Sequence, residues 1–128
     1  MAGFFARGMG MVTVATLRKR TDFVFLKEHG LRVSTQGFVV QYAVQEGECG
    51  VCVGYTASTK GVGNAVKRNR AKRRLRACFD KVVRLNPNAE LPEGLWLNFV
   101  ARRAVLEIDF KYLEKDMGKA MAEVREKA

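Results

Sequence analysis

The most basic segment of this chain also carries an apolar stripe with helical spacing. Over residues 64–82, apolar side chains recur at i, i+4, i+7, i+8 and i+11, which is one face of an α-helix. These residues are Ala71, Leu75, Cys78, Phe79 and Val82. A helix of this kind is stable mainly through burial of its apolar face, so the stripe predicts that the helix packs against another element.

Segments with strand character lie on both sides of this helix. Residues 38–45 and 49–56 are rich in β-branched and aromatic residues, and a Glu-Gly-Glu turn at 46–48 joins them. This pattern predicts an antiparallel hairpin. LWLNFVA at 95–101 predicts a third strand. The basic helix is therefore expected to pack on a sheet.

Two further helices complete the prediction. Thr21 or Asp22 can cap a short helix that runs to about His29 and stops at Gly30. Asp109 can cap a last helix. Its apolar stripe consists of Phe110, Leu113, Met117, Met121 and Val124. The predicted order is α-β-β-α-β-α, which is an α+β fold, a single-domain α/β sandwich.

The composition fits one globular domain. The chain has 128 residues, of which 48% are hydrophobic and 28% charged, and this is enough to bury a core. We place the domain at residues 17–128. Residues 1–16 are apolar and Gly-rich without clear periodicity, which predicts a flexible N-terminal extension. No apolar run approaches the roughly 18 residues of a membrane-spanning helix.

The charge balance points to an anionic partner. Lys and Arg number 23 against 13 Asp and Glu, a net charge of +10. No acidic residue occurs between Glu48 and Asp80. A field of this sign concentrates polyanions near the surface.

Seven of the ten residues from Lys67 to Arg76 are Lys or Arg. On a helical wheel, Lys72, Arg73 and Arg76 lie opposite the apolar stripe. Charge runs are usually solvated faces, but a solvated helix mixes signs because like charges at i,i+4 destabilise it. Cations in the first turn also oppose the helix dipole, whereas free N–H groups after Gly61 and Gly63 favour phosphate. The segment therefore predicts polyanion docking, with DNA and RNA both open.

No catalytic or metal site is predicted in the protein. Cys49 and Cys52 have zinc-ligand spacing, but they lie on a predicted strand where residues three apart point to opposite faces. His29 is the only histidine, and the 13 acids are scattered. Three cysteines give no disulfide framework and favour a reducing cytoplasm.

At this point the residues resemble a known family. GNAVKRNRAKRRLR at 63–76, with its central Arg68-Asn69-Arg70, resembles the RNR motif of the bacterial ribonuclease P protein subunit. LRKRTDF at 17–23, HGLR at 29–32 and VGYTAS at 53–58 are similar to family segments in the same order. FVARR at 99–103 resembles the last strand of the family and the basic residues that follow it. The resemblance covers about residues 17–125.

The resemblance implies a division of labour between protein and RNA. A catalytic RNA subunit would remove the 5′ leader of precursor tRNA with Mg²⁺, held mainly by that RNA and the substrate. The protein would bind the RNA subunit by the basic helix and hold the leader in a cleft between the sheet and the first helix. The resemblance also implies a left-handed βαβ crossover around the basic helix, against the right-handed rule.

The site residues follow from matching positions. RNA-subunit contacts are expected at Lys60, Asn64, Lys67, Arg68, Asn69, Arg70, Lys72, Arg73, Arg74 and Arg76. The leader cleft is expected at Phe23, the best stacking candidate, with Phe38, Gln41 and Tyr42 behind it. Core packing is the alternative for Phe23 and, more strongly, for Phe38.

Two other classes remain open from the residues. A structural or ribosome-assembly RNA-binding protein would share the charge pattern but lack the leader cleft. A protein-only nuclease would need a catalytic constellation that is not recognisable here, so we expect the protein alone to be inactive. The expected partners are the RNA subunit and precursor tRNA, without a membrane or an obligate protein partner.

Overall fold

The computed structural model describes residues 14–48, 50–86 and 90–128. The strands are β1 Val14–Thr16, β2 Leu31–Ser34, β3 Phe38–Val44, β4 Val51–Thr56 and β5 Leu95–Ala101. The helices are α1 Arg20–His29, α2 Ala65–Phe79 and α3 Phe110–Lys127. A π-helical turn, Asp80–Arg84, extends α2, and a 3-10 turn, Arg103–Leu106, follows β5. The α+β class is confirmed.

One mixed sheet forms the centre of the fold. Its strand order is β1-β4-β5-β3-β2. β1 and β4 are parallel, as are β4 and β5, whereas β5–β3 and β3–β2 are antiparallel. The unit β4–α2–β5 is thus a βαβ connection between neighbouring parallel strands. Its predicted left-handed sense stays a prediction.

The predicted hairpin between residues 38–45 and 49–56 is wrong, because β5 lies between β3 and β4. β5 is the most continuously apolar of the three strands, and a central position buries both of its faces. Gly94, directly before β5, lies close to the backbone that follows β3. Gly94 has φ +81°, and a Cβ there would lie 2.4 Å from the Gln45 carbonyl oxygen.

Two short strands were not predicted. β2 forms the actual hairpin with β3, through a turn in which the Thr35 N–H donates to the Phe38 carbonyl at 2.8 Å. β1 lies within the predicted extension, so residues 14–16 are part of the sheet and the predicted boundary at Leu17 is too late. The prediction for residues 1–13 lies outside the described residues. Strands of three or four residues are too short for alternation to identify them.

The helix boundaries were predicted with one error. Asp109 caps α3 by accepting from the Lys111 N–H at 3.1 Å, as predicted. α1 instead begins at Arg20 after Lys19, which makes no side-chain cap, so the Thr21 or Asp22 cap is wrong. No helix among the described residues is long and apolar enough to cross a membrane.

The two faces of the sheet are covered differently. α2 and α3 pack on one face, over a core that includes Phe38, Val40, Leu97 and Phe99. α1 covers part of the opposite face, which we call the α1 face. Leu26 of α1 is fully buried there. This unequal coverage leaves room for a cleft beside α1.

Two glycine substitutions test this packing. Gly118 lies within α3, and the nearest atom to an added Cβ is Val82 Cγ1 at 3.9 Å. Gly118→Ala should therefore raise the free energy of unfolding by about 0.5–1 kcal/mol, through the lower backbone entropy of alanine. At Gly54 an added Cβ would lie 2.5 Å from Phe23 Cε1. Gly54→Ala should lower the free energy of unfolding by about 1–3 kcal/mol. Urea denaturation measures both, and equal effects would contradict the packing described for α1.

Candidate nucleic-acid interface

The apolar face of α2 holds the helix against the sheet. Ala71, Leu75 and Cys78 are fully buried, and the Phe79 ring lies 5.5 Å from that of Phe99 between centroids. The Asn64 side chain caps the helix by accepting from the Lys67 N–H at 3.0 Å. Because the apolar stripe sets the rotation of the helix, the side chains opposite the stripe are directed to solvent.

The connector before α2, residues 57–64, is held by local hydrogen bonds. Val62 is fully buried, and its N–H donates to the Ser58 carbonyl at 2.9 Å. Ser58 Oγ accepts from the Gly61 N–H at 2.8 Å. Gly63 has φ +137°, a conformation that L side chains rarely adopt. The start of α2 is therefore anchored.

Four cations define the cationic face of α2: Lys67, Arg70, Arg73 and Arg76. All four are exposed, as are the predicted site residues Lys60, Asn64 and Asn69. The three ion pairs between described residues are Lys81–Glu114, Arg84–Asp80 and Lys127–Glu123. None of them includes a cation from the segment 67–76. The positive charge of this face is therefore not compensated by carboxylates of the described chain.

Three arginines of α2 also contact the protein. Arg68 Nη1 donates to Thr59 Oγ1 at 3.1 Å and to the Gly63 carbonyl at 3.0 Å. The Arg76 guanidinium lies 5.1 Å from the centroid of the Tyr55 ring. These contacts orient the two side chains, and Arg76 stays exposed.

Arg74, the third of them, differs from its neighbours. Its Nη2 donates to the Ile108 carbonyl, and its guanidinium lies 5.8 Å from the Phe110 ring centroid. Arg74 Nε is buried without a hydrogen-bond partner among the described residues. The side chain thus connects α2 to the start of α3, a structural role that was not predicted for it.

A cleft of about 590 Å³ opens on the α1 face, beside α1. Its lining combines one ring from α1, cations from two helices and polar groups from three strands. The lining residues are Arg20, Phe23, Val24, Lys27, Gln41, Tyr55, Thr56, Ala57, Lys72, Asn98 and Val100. A concave site with an aromatic ring and cations suits a single-stranded nucleic acid.

Three polar side chains form a ladder across the floor of the cleft. Thr56 Oγ1 donates to Asn98 Oδ1 at 3.0 Å, and Asn98 Nδ2 donates to Gln41 Oε1 at 3.1 Å. Gln41 and Asn98 are only 6% and 3% exposed. We call Thr56, Asn98 and Gln41 the polar ladder. Each buried amide of this network is hydrogen-bonded to a neighbour within it.

The structure brings Phe23 and Gln41 together in this cleft, but not Phe38 or Tyr42. Phe38 is fully buried and Tyr42 is 1% exposed, and both belong to the core beneath α2 and α3. Their assignment to the leader cleft is wrong. Along β3, Gln41 points to the opposite face from its neighbours at even-numbered positions, because side chains alternate on a strand.

Several cleft residues were missed although the sequence carried a signal for them. Arg20, Phe23 and Lys27 are spaced at i, i+3 and i+7, which places them on one face of α1. Asn98 is the only polar residue of β5, and a polar residue inside an apolar strand indicates a polar face or a network. Thr56 had no comparable signal.

Lys72 lies between the two surfaces. It was predicted on the polar side of α2, it is half-buried, and it lines the cleft near Thr56 and Ala57. The cleft therefore adjoins the cationic face of α2 through Lys72.

Two buried titratable groups near α2 have raised pKa values. Burial raises the pKa of the Cys78 thiol to about 12. Burial also raises the pKa of Tyr55 well above its usual range. Both groups therefore stay protonated at neutral pH. Among the described residues, no cluster of three His, Cys, Asp or Glu could hold a metal; Cys49 of the zinc-spaced pair lies outside them.

A cationic helix beside a polar, aromatic cleft on an α+β domain defines a nucleic-acid-binding protein. The family model described as Ribonuclease P matches residues 11–125. The ribonuclease P protein component of a Nitratiruptor species is 33% identical over 115 residues, which cover 90% of this chain and 96% of the relative. That of Erythrobacter litoralis is 37% identical over 112 residues, covering 88% and 87%.

Solved structures share the fold. The Staphylococcus aureus RNase P protein superposes with a TM-score of 0.67 at 21% identity, over 88% of this chain and 97% of that one. The RNase P protein from Thermotoga maritima gives 0.63 at 22% identity, over 88% and 96%. This chain belongs to the bacterial ribonuclease P protein family.

The contrast between Arg74 and Arg73 gives a test of their separate roles. Arg74→Met should lower the free energy of unfolding by about 1–2 kcal/mol, because the Ile108 carbonyl loses a charged donor. Arg73→Met removes the same charge from an exposed position and should change stability by no more than about 0.5 kcal/mol. Denaturant titration of both variants measures this. Equal stability of the two proteins would contradict a structural role for Arg74.

Proposed function

We propose that this chain is the protein component of a ribonuclease P that removes the 5′ leader from precursor tRNA. The cationic face of α2 binds the catalytic RNA subunit, and the cleft binds the leader. The RNA subunit carries out the Mg²⁺-dependent endonucleolytic cut. The observation that carries this proposal is the row of cations from Lys67 to Arg76 that has no carboxylate partner in the described chain.

The energetics of α2 support the RNA-binding role. Like charges at i,i+4 destabilise a helix by a few tenths of a kcal/mol per pair, about 0.2–0.5. Arg68 and Lys72, Arg70 and Arg74, and Lys72 and Arg76 are three such pairs. RNA phosphates along the exposed face would replace this repulsion with attraction. Guanidinium groups add bidentate hydrogen bonds to phosphate.

The cleft supports the leader-binding role. A single strand is held by stacking of bases on aromatic rings and by cations along its backbone. Phe23 supplies the ring, and Arg20, Lys27 and Lys72 supply the cations. Because Lys72 also lies beside the cationic face, a leader in the cleft would run directly from the RNA subunit bound on α2.

The donor set of the cleft does not fit Mg²⁺. Mg²⁺ prefers carboxylate and phosphate oxygens, and the residues that line the cleft include three cations and no carboxylate. We therefore assign the metal to the RNA subunit and its substrate. In this assignment the protein contributes binding and orientation, and no residue of this chain is catalytic.

The α2 contacts are tested by binding to a bacterial ribonuclease P RNA. Arg70→Ala combined with Arg73→Ala should weaken binding and flatten its salt dependence, by about 0.7–0.9 in log–log slope for each phosphate that the variant no longer neutralises. Lys115→Ala combined with Lys119→Ala is the matched control, because it removes the same charge from exposed positions of α3. Affinity and slope are measured by titration between low and moderate salt.

The two double variants separate docking from net charge. If α2 is a specific docking surface, the α2 double variant should weaken RNA binding strongly and the α3 double variant only slightly. Equal losses would show that only net charge matters and would contradict the docking surface on α2.

The leader contact is tested in the reconstituted complex. Phe23→Ala should reduce the preference for precursor over mature tRNA by about fivefold or more, since stacking contributes roughly 1–3 kcal/mol per base. Affinity for the RNA subunit should not change. Phe25→Ala is the control on the same helix, because Phe25 packs near Trp96 and His29 outside the cleft.

The same assay separates the alternative functions. A wild-type complex that binds precursor and mature tRNA equally would favour a structural or ribosome-assembly role. Cleavage by the purified protein without RNA would indicate a protein-only nuclease. Restored 5′ maturation at low Mg²⁺ upon adding this chain to the RNA is the result that the proposal expects.

A further inference from the structure

Two members of the polar ladder, Asn98 and Gln41, lie in one row across the sheet with Gly54, on which the Phe23 ring is seated. Gly54, Asn98 and Gln41 are register partners on β4, β5 and β3. The Phe23 ring covers Gly54, where an added Cβ would lie 2.5 Å from Phe23 Cε1. Adjacent strands are about 4.8 Å apart, so Gln41 lies roughly 10 Å from Gly54 along the row. Phe23 and Gln41 thus lie at two ends of one row, far enough apart for a base that stacks on the ring to lie between them.

Gln41 is the outer member of the ladder. Its Oε1 accepts from Asn98 Nδ2. Its Nε2 has no hydrogen-bond partner among the described residues, and it is not among the fully enclosed unpartnered atoms. A side chain that is 6% exposed and has an amide N–H₂ unsatisfied by protein is poised to bind a ligand group in the cleft.

The ladder can be satisfied in two senses. The Thr56 hydroxyl at its inner end can donate or accept. If both amides rotate by half a turn, Gln41 Nε2 donates to Asn98 Oδ1, and Asn98 Nδ2 donates to Thr56 Oγ1. In both arrangements Gln41 offers one N–H donor and one oxygen lone pair to the cleft. The rotation exchanges the positions of the donor and the acceptor.

This reversal matches the chemistry of the four bases. The Watson–Crick edges of adenine and cytosine present an amino donor followed by a ring-nitrogen acceptor. Guanine and uracil present a carbonyl acceptor followed by a ring N–H donor. A single primary amide can form two hydrogen bonds with either order only if it can rotate, and single-stranded bases offer these edges freely.

We propose that Gln41 binds the edge of one leader base and that the reversible polar ladder makes this contact permissive for all four bases. The proposal rests on the leader-binding cleft proposed above. It makes Gln41 a specificity-determining residue whose effect is to broaden the range of leaders. Such breadth suits a component that acts on many different precursor tRNAs.

Gln41→Glu tests this proposal, because a carboxylate has hydrogen-bond acceptors and no donor. In Gln41→Glu, the carboxylate accepts from Asn98 Nδ2, and the cations lining the cleft favour its ionised form. Guanine alone offers two adjacent donors, N1–H and N2–H₂, on its Watson–Crick edge. The variant complex should therefore prefer guanine at one leader position by about tenfold or more. The wild type should bind the four bases at that position within about threefold.

The position is identified by replacing leader nucleotides one at a time with abasic residues. It is the position at which the abasic change weakens binding to the wild-type complex. Gln41→Met keeps the length of the side chain without hydrogen bonds. This variant should bind all four leaders more weakly by a similar factor and should show no preference, so the proposal is testable even if Gln41→Glu does not fold.

The outcomes separate this proposal from the function on which it rests. Suppose that an abasic nucleotide weakens binding at one leader position. If Gln41→Glu then shows no new base preference there, or if the wild type is strongly selective there, the proposed recognition of a base by Gln41 is overturned. If no leader position responds and Phe23→Ala has no effect, the leader cleft fails, and the role of Gln41 fails with it. Unchanged binding by Gln41→Met would also overturn the proposal.

Discussion

The alternation of side chains along β5 is the constraint on which both surfaces of this protein depend. Leu95, Leu97 and Phe99 point to the core beneath α2 and α3. Asn98 points to the opposite face, where it joins the polar ladder. β5 is central, with β4 and β3 as its neighbours. One strand therefore sets the rotation of the basic helix on one side and the floor of the cleft on the other.

The core side of β5 also orients the charge. Phe99 packs against Phe79 of α2 and stacks on Tyr55 with ring centroids 5.7 Å apart. The outer side of Tyr55 carries the Arg76 guanidinium. The packing of Tyr55 on Phe99 in the core therefore also helps to position the exposed Arg76 side chain. Packing and electrostatics act in the same direction here, since the helix can bury its apolar stripe only by exposing its cations.

The exposed cations carry a repulsion that the described chain does not relieve. Helices in proteins usually mix charge signs, and an uncompensated row lowers stability slightly while favouring an anionic partner. Arg74 is the exception within the row, because it donates to the Ile108 carbonyl. A single helix therefore contains cations with two functions, and only their contacts distinguish them.

Much of the cationic surface could be predicted from local sequence. The i, i+4, i+7 stripe and the excess of Lys and Arg are both properties of one helix, so neighbours in the chain carry the information. The cleft was predicted only in part. Phe23 and Gln41 do line it, whereas Phe38 and Tyr42 were assigned to it although strand alternation puts them on the other face from Gln41. Asn98 and Thr56 lie 42 residues apart in the chain and meet through the sheet.

The sequence by itself determined the α+β class, the extent of β5, the start of α3, and the basic face of α2, because these depend on periodicity and charge within short segments. The tertiary structure alone decided the order of strands, the position of β5 between β3 and β4, and the side-chain contacts of the polar ladder. The reason is that strand pairing joins distant segments, and a strand carries no local mark of its partner. Phe38 lies in the core and Gln41, three positions further along β3, lines the cleft, because different helices cover the two faces of the sheet.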